Sequence, residues 1–135
     1  RRPTVFGLAL DAEGRLACVR VERGERSYHD LPGGAVDGLE TEPEALAREF
    51  QEETGLTVRV GIRFAEAAQY FLKSDGRPLN NTGGYWTVEA LAHDPSAKVE
   101  DDHSLVWMRP EEALGVLRHD AHAWAVAAWL RGAAD

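Results

Sequence analysis

The chain has 135 residues, 44% of them apolar, and a formal charge of −8. That length suits one domain, taken as 1–135, whose core needs neither disulfides nor a structural metal. The acidic balance argues against a broad nucleic-acid-binding face and against an anionic membrane surface, but not against a small anionic ligand held through a metal.

No apolar run is long enough to span a bilayer, and no N-terminal stretch reads as a secretion signal. The one cysteine, Cys18, lies in the apolar run Leu16–Val21 and is expected to be a small buried hydrophobe. A lone thiol suits a reducing, cytoplasmic setting.

Val5–Leu10 and Leu16–Val21 predict two strands, joined as a hairpin through Asp11-Ala12-Glu13-Gly14. Arg23–Arg26 predicts a loop, and Tyr28–Gly34 ends in the turn signal Leu31-Pro32-Gly33-Gly34. Thr41–Thr54 predicts a helix: Thr41 and Glu44 form a capping box, Pro43 is tolerated in the first turn, and Gly55 supplies the stop. Leu46 and Phe50, extended by Ala47, make its apolar stripe. Val58–Phe64 and Ala67–Leu72 predict strands, Asp75-Gly76 a turn and Asn80–Gly84 a flexible stretch. Trp86–Ala92 and Leu105–Met108 predict two more strands. Pro110–Leu117 predicts a helix with Glu111 and Glu112 in its first turn. Asp120 is placed to cap a last helix reaching about Leu130, with Trp124, Ala127, Ala128 and Trp129 on its packed face. This order predicts a sheet covered by helices.

The charge is uneven. Residues 34–56 hold seven acids against the single base Arg48, a net of −6. On a helix, Glu49, Glu52 and Glu53 share a face about 100° wide, beside the stripe of Leu46 and Phe50. Such like-charge pairs destabilise a helix by about 0.2–0.5 kcal/mol each. A hard divalent cation with oxygen ligands would relieve them. A solvated acidic face, with Arg48 partly neutralising Glu52, is the other reading of the cluster. Gly33-Gly34 is open in the same way: it allows a ligand close to the backbone, or it is a plain turn.

Taken together, Gly34, Glu40 and the run Arg48-Glu49-Phe50-Gln51-Glu52-Glu53-Thr54-Gly55-Leu56 fill every fixed position of the Nudix box at its spacing. Over these 23 of 135 residues the chain resembles the Nudix hydrolase superfamily, MutT-like members included. The resemblance implies an α/β/α sandwich with a mixed β-sheet between helices. It also implies Mg²⁺-dependent hydrolysis of a diphosphate linkage in a nucleoside diphosphate derivative, with Mn²⁺ as a substitute. By position, the Gly33 carbonyl, Glu49, Glu52 and Glu53 would bind the metal, and Gly33 would matter because a side chain there could block metal or phosphate. Arg48, Glu49 and Glu53 would be catalytic, with Glu49 as base or water-orienting group and Arg48 paired with Glu40 to hold the helix and loop. The partner would be a small nucleotide (a nucleoside triphosphate, ADP-ribose or a dinucleotide), and relatives are often homodimers. His29 stands where many relatives carry an aromatic residue, with Tyr28 beside it.

Of the loop acids Glu100-Asp101-Asp102, Asp102 is favoured as a further base or ligand, against an ordinary solvated loop. Arg20, Arg23 and Arg26 are candidates for phosphate contact, and Tyr70, Tyr85 or Trp86 for base stacking, each against a bland reading as surface charge or core. His119 and His122 read as a helix-surface pair rather than a zinc site. Two other uses of the fold stand as alternatives. A non-catalytic nucleotide sensor would not need every metal ligand, and an isoprenoid diphosphate isomerase would need a catalytic cysteine where Cys18 is expected to be buried.

Overall fold

The computed structural model describes residues 3–72 and 78–134. Seven strands are present: β1 (Thr4–Ala9), β2 (Leu16–Arg23), β3 (Arg26–Asp30), β4 (Gly33–Ala35), β5 (Leu56–Leu72), β6 (Pro78–His93) and β7 (His103–Met108). The helices are α1 (Glu42–Thr54), α2 (Pro110–Val116) and α3 (Asp120–Ala134). A 3₁₀ turn at Pro95–Ala97 precedes β7. No helix among the described residues is long and apolar enough to cross a membrane.

The strands form two sheets, ordered β4-β1-β6-β5 and β3-β2-β7. Only the β1–β6 pairing is parallel. Side-chain alternation along the strands builds the layers. On β1, Val5 and Ala9 join Leu46, Phe50 and Val88 beneath α1, whereas Leu8 joins Tyr85, Ala125 and Val126 beneath α3. On β2, Ala17 belongs to the first cluster, and Leu16 and Cys18 to the second. Both sheets therefore lie between α1 on one side and the α2–α3 pair on the other, as an α/β/α sandwich.

The expected hairpin of the first two strands does not form. β1 and β2 belong to different sheets, and the pairing beside their shared turn is an isolated Leu10–Leu16 bridge. The Asp11 side chain gathers the N–H groups of Glu13 and Arg15 at 3.0 and 2.8 Å, so the chain turns without zipping up. β2 then pairs with β7, and β1 with β6.

The expected pair Val58–Phe64 and Ala67–Leu72 is one strand. Register shifts lie at Thr57/Val58, Val60/Arg63 and Arg63/Ala65, so bulges bend β5 instead of ending it. The expected flexible stretch Asn80–Gly84 is part of β6, paired to residues 66–70. Its Gly84 lies under the Glu42 carboxylate, where a Cβ would come within 2.4 Å of Oε1. The predicted Asp75-Gly76 turn lies outside the described residues.

On α3 the packed seam is His122, Ala125, Val126 and Trp129, spaced at i, i+3, i+4 and i+7. Trp124, expected inside, is 46% exposed. His122 is fully buried and accepts the Leu31 N–H at Nδ1 (3.3 Å), so it belongs to the core and not to a surface pair with His119.

Candidate active site

The helix that carries the acids starts and stops as its sequence requires. The Thr41 hydroxyl accepts the Glu44 N–H (3.3 Å), and the Glu44 carboxylate accepts the Thr41 N–H (2.9 Å). Gly55 closes the helix at φ 79°, in the left-handed region open to glycine.

Between β4 and α1 the chain is anchored by Arg48. Its guanidinium donates to both Glu40 oxygens (Nε–Oε2 2.7 Å, Nη2–Oε1 2.9 Å), to Ala35 O (3.2 Å) and to Glu52 Oε1 (3.2 Å). The Asp37 N–H adds a third donor to Glu40, at 3.0 Å. This planar fork is a geometry that lysine cannot reproduce. Arg48 holds the Glu40 carboxyl down at about 2, helped by the Asp37 N–H. The expected Arg48–Glu40 pairing is thus present.

The glycines lie against the acids. Gly33 has φ 149°, and a Cβ there would meet Val5 O at 2.0 Å and the Phe6 ring at 2.7 Å. Glycine is required at this point first by the neighbouring strand, whatever binds in front of it. Gly34 faces the other way, and a Cβ there would sit 2.2 Å from Glu49 Oε2. The Gly33 N–H donates to Glu53 Oε1 at 3.2 Å.

Glu53 is buried, with a side chain 9% exposed. Burial raises its carboxyl well above the ordinary range; Glu49, Asp30 and Glu100 add repulsion, and the Gly33 N–H pulls the other way. Burial also lifts Glu49 to about 7, opposed by Arg48 and reinforced by Glu52, Glu100 and Asp37. The three helical carboxylates do not converge. Glu52 is drawn to Arg48, and the compact set of ligand atoms among the described residues is Glu100, Asp102 and His103, all within 4.8 Å of one another.

The loop before β7 completes this corner. The N–H groups of Val99 and Glu100 both donate to Glu52 O, at 2.9 and 3.0 Å, fastening the loop to the last turn of α1. Asp102 is already committed: Arg23 Nε lies at 2.5 Å and His103 Nδ1 at 2.7 Å. Those two partners hold its carboxyl below the ordinary range, with His103 the larger cause. Glu100, not the favoured Asp102, is the loop acid whose charge acts on Glu49 and Glu53. His103, not among the residues expected at the site, has its Nε2 3.8 Å from Glu53 Oε2. A histidine next to an acid just ahead of a strand was the available signal.

Several candidate substrate contacts have other duties. Tyr85 is buried in the core against Phe6 and His122. Trp86 Nε1 donates to Glu42 Oε1 (2.8 Å), tying β6 to the start of α1. Arg118 covers the Tyr28 ring at 3.7 Å and donates its backbone N–H to His29 O (2.8 Å). Arg23 serves Asp102, whereas Arg20 and Arg26 are exposed. The Tyr70 side chain lies outside the described part of the structure.

Comparison with known proteins agrees with this architecture. An 8-oxo-(d)GTP phosphatase from Mycolicibacterium smegmatis is 34% identical over 109 residues, which is 78% of this chain and 32% of the relative. A MutT-like protein from Streptomyces ambofaciens is 39% identical over 57 residues, 42% of this chain and 36% of the relative. The chain thus spans about a third of the length of these curated relatives. A NUDIX hydrolase from Nitrosomonas europaea superposes with a TM-score of 0.81 at 18% identity, covering 97% of this chain and 89% of that one, which shows a shared fold. The NUDIX domain family model matches residues 1–130, and the chain belongs to that family.

Proposed function

We propose that this chain hydrolyses a phosphoric anhydride linkage in a small nucleotide, using Mg²⁺ held by Glu49, Glu52, Glu53 and the Gly33 carbonyl. The observation that carries the reading is the burial of Glu53 beside Glu49, with no lysine or arginine among the described residues paired to Glu53. Carboxylates placed this way oppose their own ionisation, and a hard cation with oxygen ligands answers that conflict. The oxygen-only donors suit Mg²⁺ on those grounds, with Glu52 leaving Arg48 to join Glu49 and Glu53. When bound, Mg²⁺ would neutralise charge on phosphoryl oxygens and acidify a nearby water.

The chain's own residues supply the rest. Glu49, which in the metal-free protein holds its proton up to about pH 7, is suited to accept a proton from the attacking water. Arg48 fixes the loop between Ala35 and Glu40 against α1, so the acids keep their places relative to the Gly33-Gly34 backbone. Positioning and charge neutralisation carry most of the catalysis in phosphoryl transfer.

Nucleoside triphosphates are the first class to test, because the M. smegmatis relative is named for an 8-oxo-(d)GTP substrate. ADP-ribose and dinucleotides follow. The experiment is a panel of these compounds with Mg²⁺, reading release of phosphate or pyrophosphate. Turnover that disappears with EDTA supports the proposal. Binding without release across the panel replaces it with a nucleotide sensor.

A further inference from the structure

We propose that His103 is a nitrogen ligand beside Glu53, giving this corner of the site an affinity for borderline divalent cations that does not depend on its Mg²⁺ ligands alone. The inference rests on the reading of Glu53 as a metal ligand and adds a residue to it.

Three observations converge on the ring. First, its tautomer is set by its neighbour. An ionised carboxylate can only accept, so the 2.7 Å contact to Asp102 Oδ1 places the hydrogen on His103 Nδ1 and leaves the lone pair on Nε2. Arg23, on the other Asp102 oxygen at 2.5 Å, keeps that carboxylate in place. A carboxylate that fixes one ring nitrogen while the other faces a site is the usual support of a metal-binding imidazole.

Second, Nε2 faces Glu53 Oε2 at 3.8 Å, and no hydrogen bond joins either atom to another of the described residues. Both side chains are about nine-tenths buried, at 11% and 9% exposure. A ring nitrogen and a carboxylate oxygen at this separation are placed to share one cation. With metal–ligand distances of about 2.0–2.2 Å, two donors on one ion sit from about 3.4 Å apart at a tetrahedral angle to about 4.2 Å when opposed. The observed separation lies inside that range.

Third, Glu100 adds oxygen donors nearby. Its ligand atom lies within 4.8 Å of those of His103 and Asp102. Imidazole with carboxylate suits Mn²⁺, Co²⁺ or Zn²⁺ better than Mg²⁺, which prefers oxygen throughout.

The test uses Co²⁺ and Mg²⁺ separately on the metal-free chain, by calorimetry and by the visible spectrum of Co²⁺. His103→Ala is expected to weaken Co²⁺ binding about tenfold or more, and Asp102→Asn to weaken it less, with Mg²⁺ affinity held within about twofold. The Co²⁺-loaded parent should also show a paramagnetically shifted, slowly exchanging imidazole N–H that His103→Ala lacks. His103→Gln serves as a second variant should the alanine protein unfold. Unchanged Co²⁺ affinity and spectrum in the variants would overturn the inference while leaving the Mg²⁺ reading intact. Equal losses of Mg²⁺ and Co²⁺ would also overturn it, reducing His103 to general support of Glu53. A parent that binds neither cation would remove the metal site itself, and this proposal with it.

Discussion

The Gly33 N–H donates to Glu53 Oε1 at 3.2 Å, joining the glycine strand β4 to the last turn of α1. It pulls the Glu53 carboxyl down, against burial, Glu49, Asp30 and Glu100. Glu53 in the metal-free protein is therefore held in place by a contact weaker than the forces acting against its charge.

Replacing Glu53 with Gln should separate activity from stability. The amide keeps an oxygen for the Gly33 N–H and removes the buried charge. Expected are a rate loss of about 10²–10⁴-fold with Mg²⁺ and a melting temperature in EDTA a few degrees above the parent. A rate within tenfold of the parent would take Glu53 out of the site.

Glu49 predicts a pH dependence of stability. Its folded value of about 7 lies above the unfolded 4.5, so the folded chain holds this proton more tightly. The resulting stabilisation is complete below about pH 4.5 and is lost as pH rises through 7. In Glu49→Gln that component should vanish, and urea midpoints in EDTA should fall less than the parent's over the same range.

His122 acts in the opposite sense. Burial holds it down to about 3 against an ordinary 6.5, so protons favour the unfolded chain. The stability it allows is full above about 6.5 and is lost as pH falls towards 3. His122→Gln should be less stable than the parent at pH 7, having lost a well-packed ring, yet flatter on the acid limb. Denaturant titrations at several pH values between 7 and 4 check both statements.

The two glycines ahead of α1 should fail differently. Gly33→Ala places a methyl against Val5 main chain at a positive φ, so the fold itself is expected to suffer, with a fall in melting temperature of many degrees. Gly34→Ala meets only the mobile end of Glu49, which can swing aside. That variant should stay folded and lose about tenfold or more in rate, since small misplacements of catalytic groups are costly. Circular dichroism alongside the hydrolysis assay distinguishes the two.

The legible part of the chain was its locally determined part. Thr41, Glu44 and Gly55 define α1 by hydrogen bonds within a few residues, and the structure has every one of them. The Arg48–Glu40 pairing was legible through the motif, although the two residues are eight apart. The strand partners were not. Whether Leu16 zips against β1 or pairs with Met108 depends on a strand more than eighty residues away. The bulges in β5 depend on Thr87 in the same way, its hydroxyl accepting the Ile62 N–H. His122 was misread because a histidine on a helix looks polar until the donor to its Nδ1, the Leu31 N–H, is known. The partners of Asp102 were not legible either, because Arg23 and His103 are brought to it by strand pairing.

The chain leaves α1 at Gly55 and comes back at Asp94, whose N–H donates to Gly55 O at 2.9 Å. β5 and β6 thus begin and end at a single joint, directly beside the turn that presents Glu52 and Glu53. The same excursion carries Val88 beneath Phe50 and Trp86 against Glu42. Both ends of α1 are therefore braced by one hairpin, so a change near its base would be felt at the acidic turn.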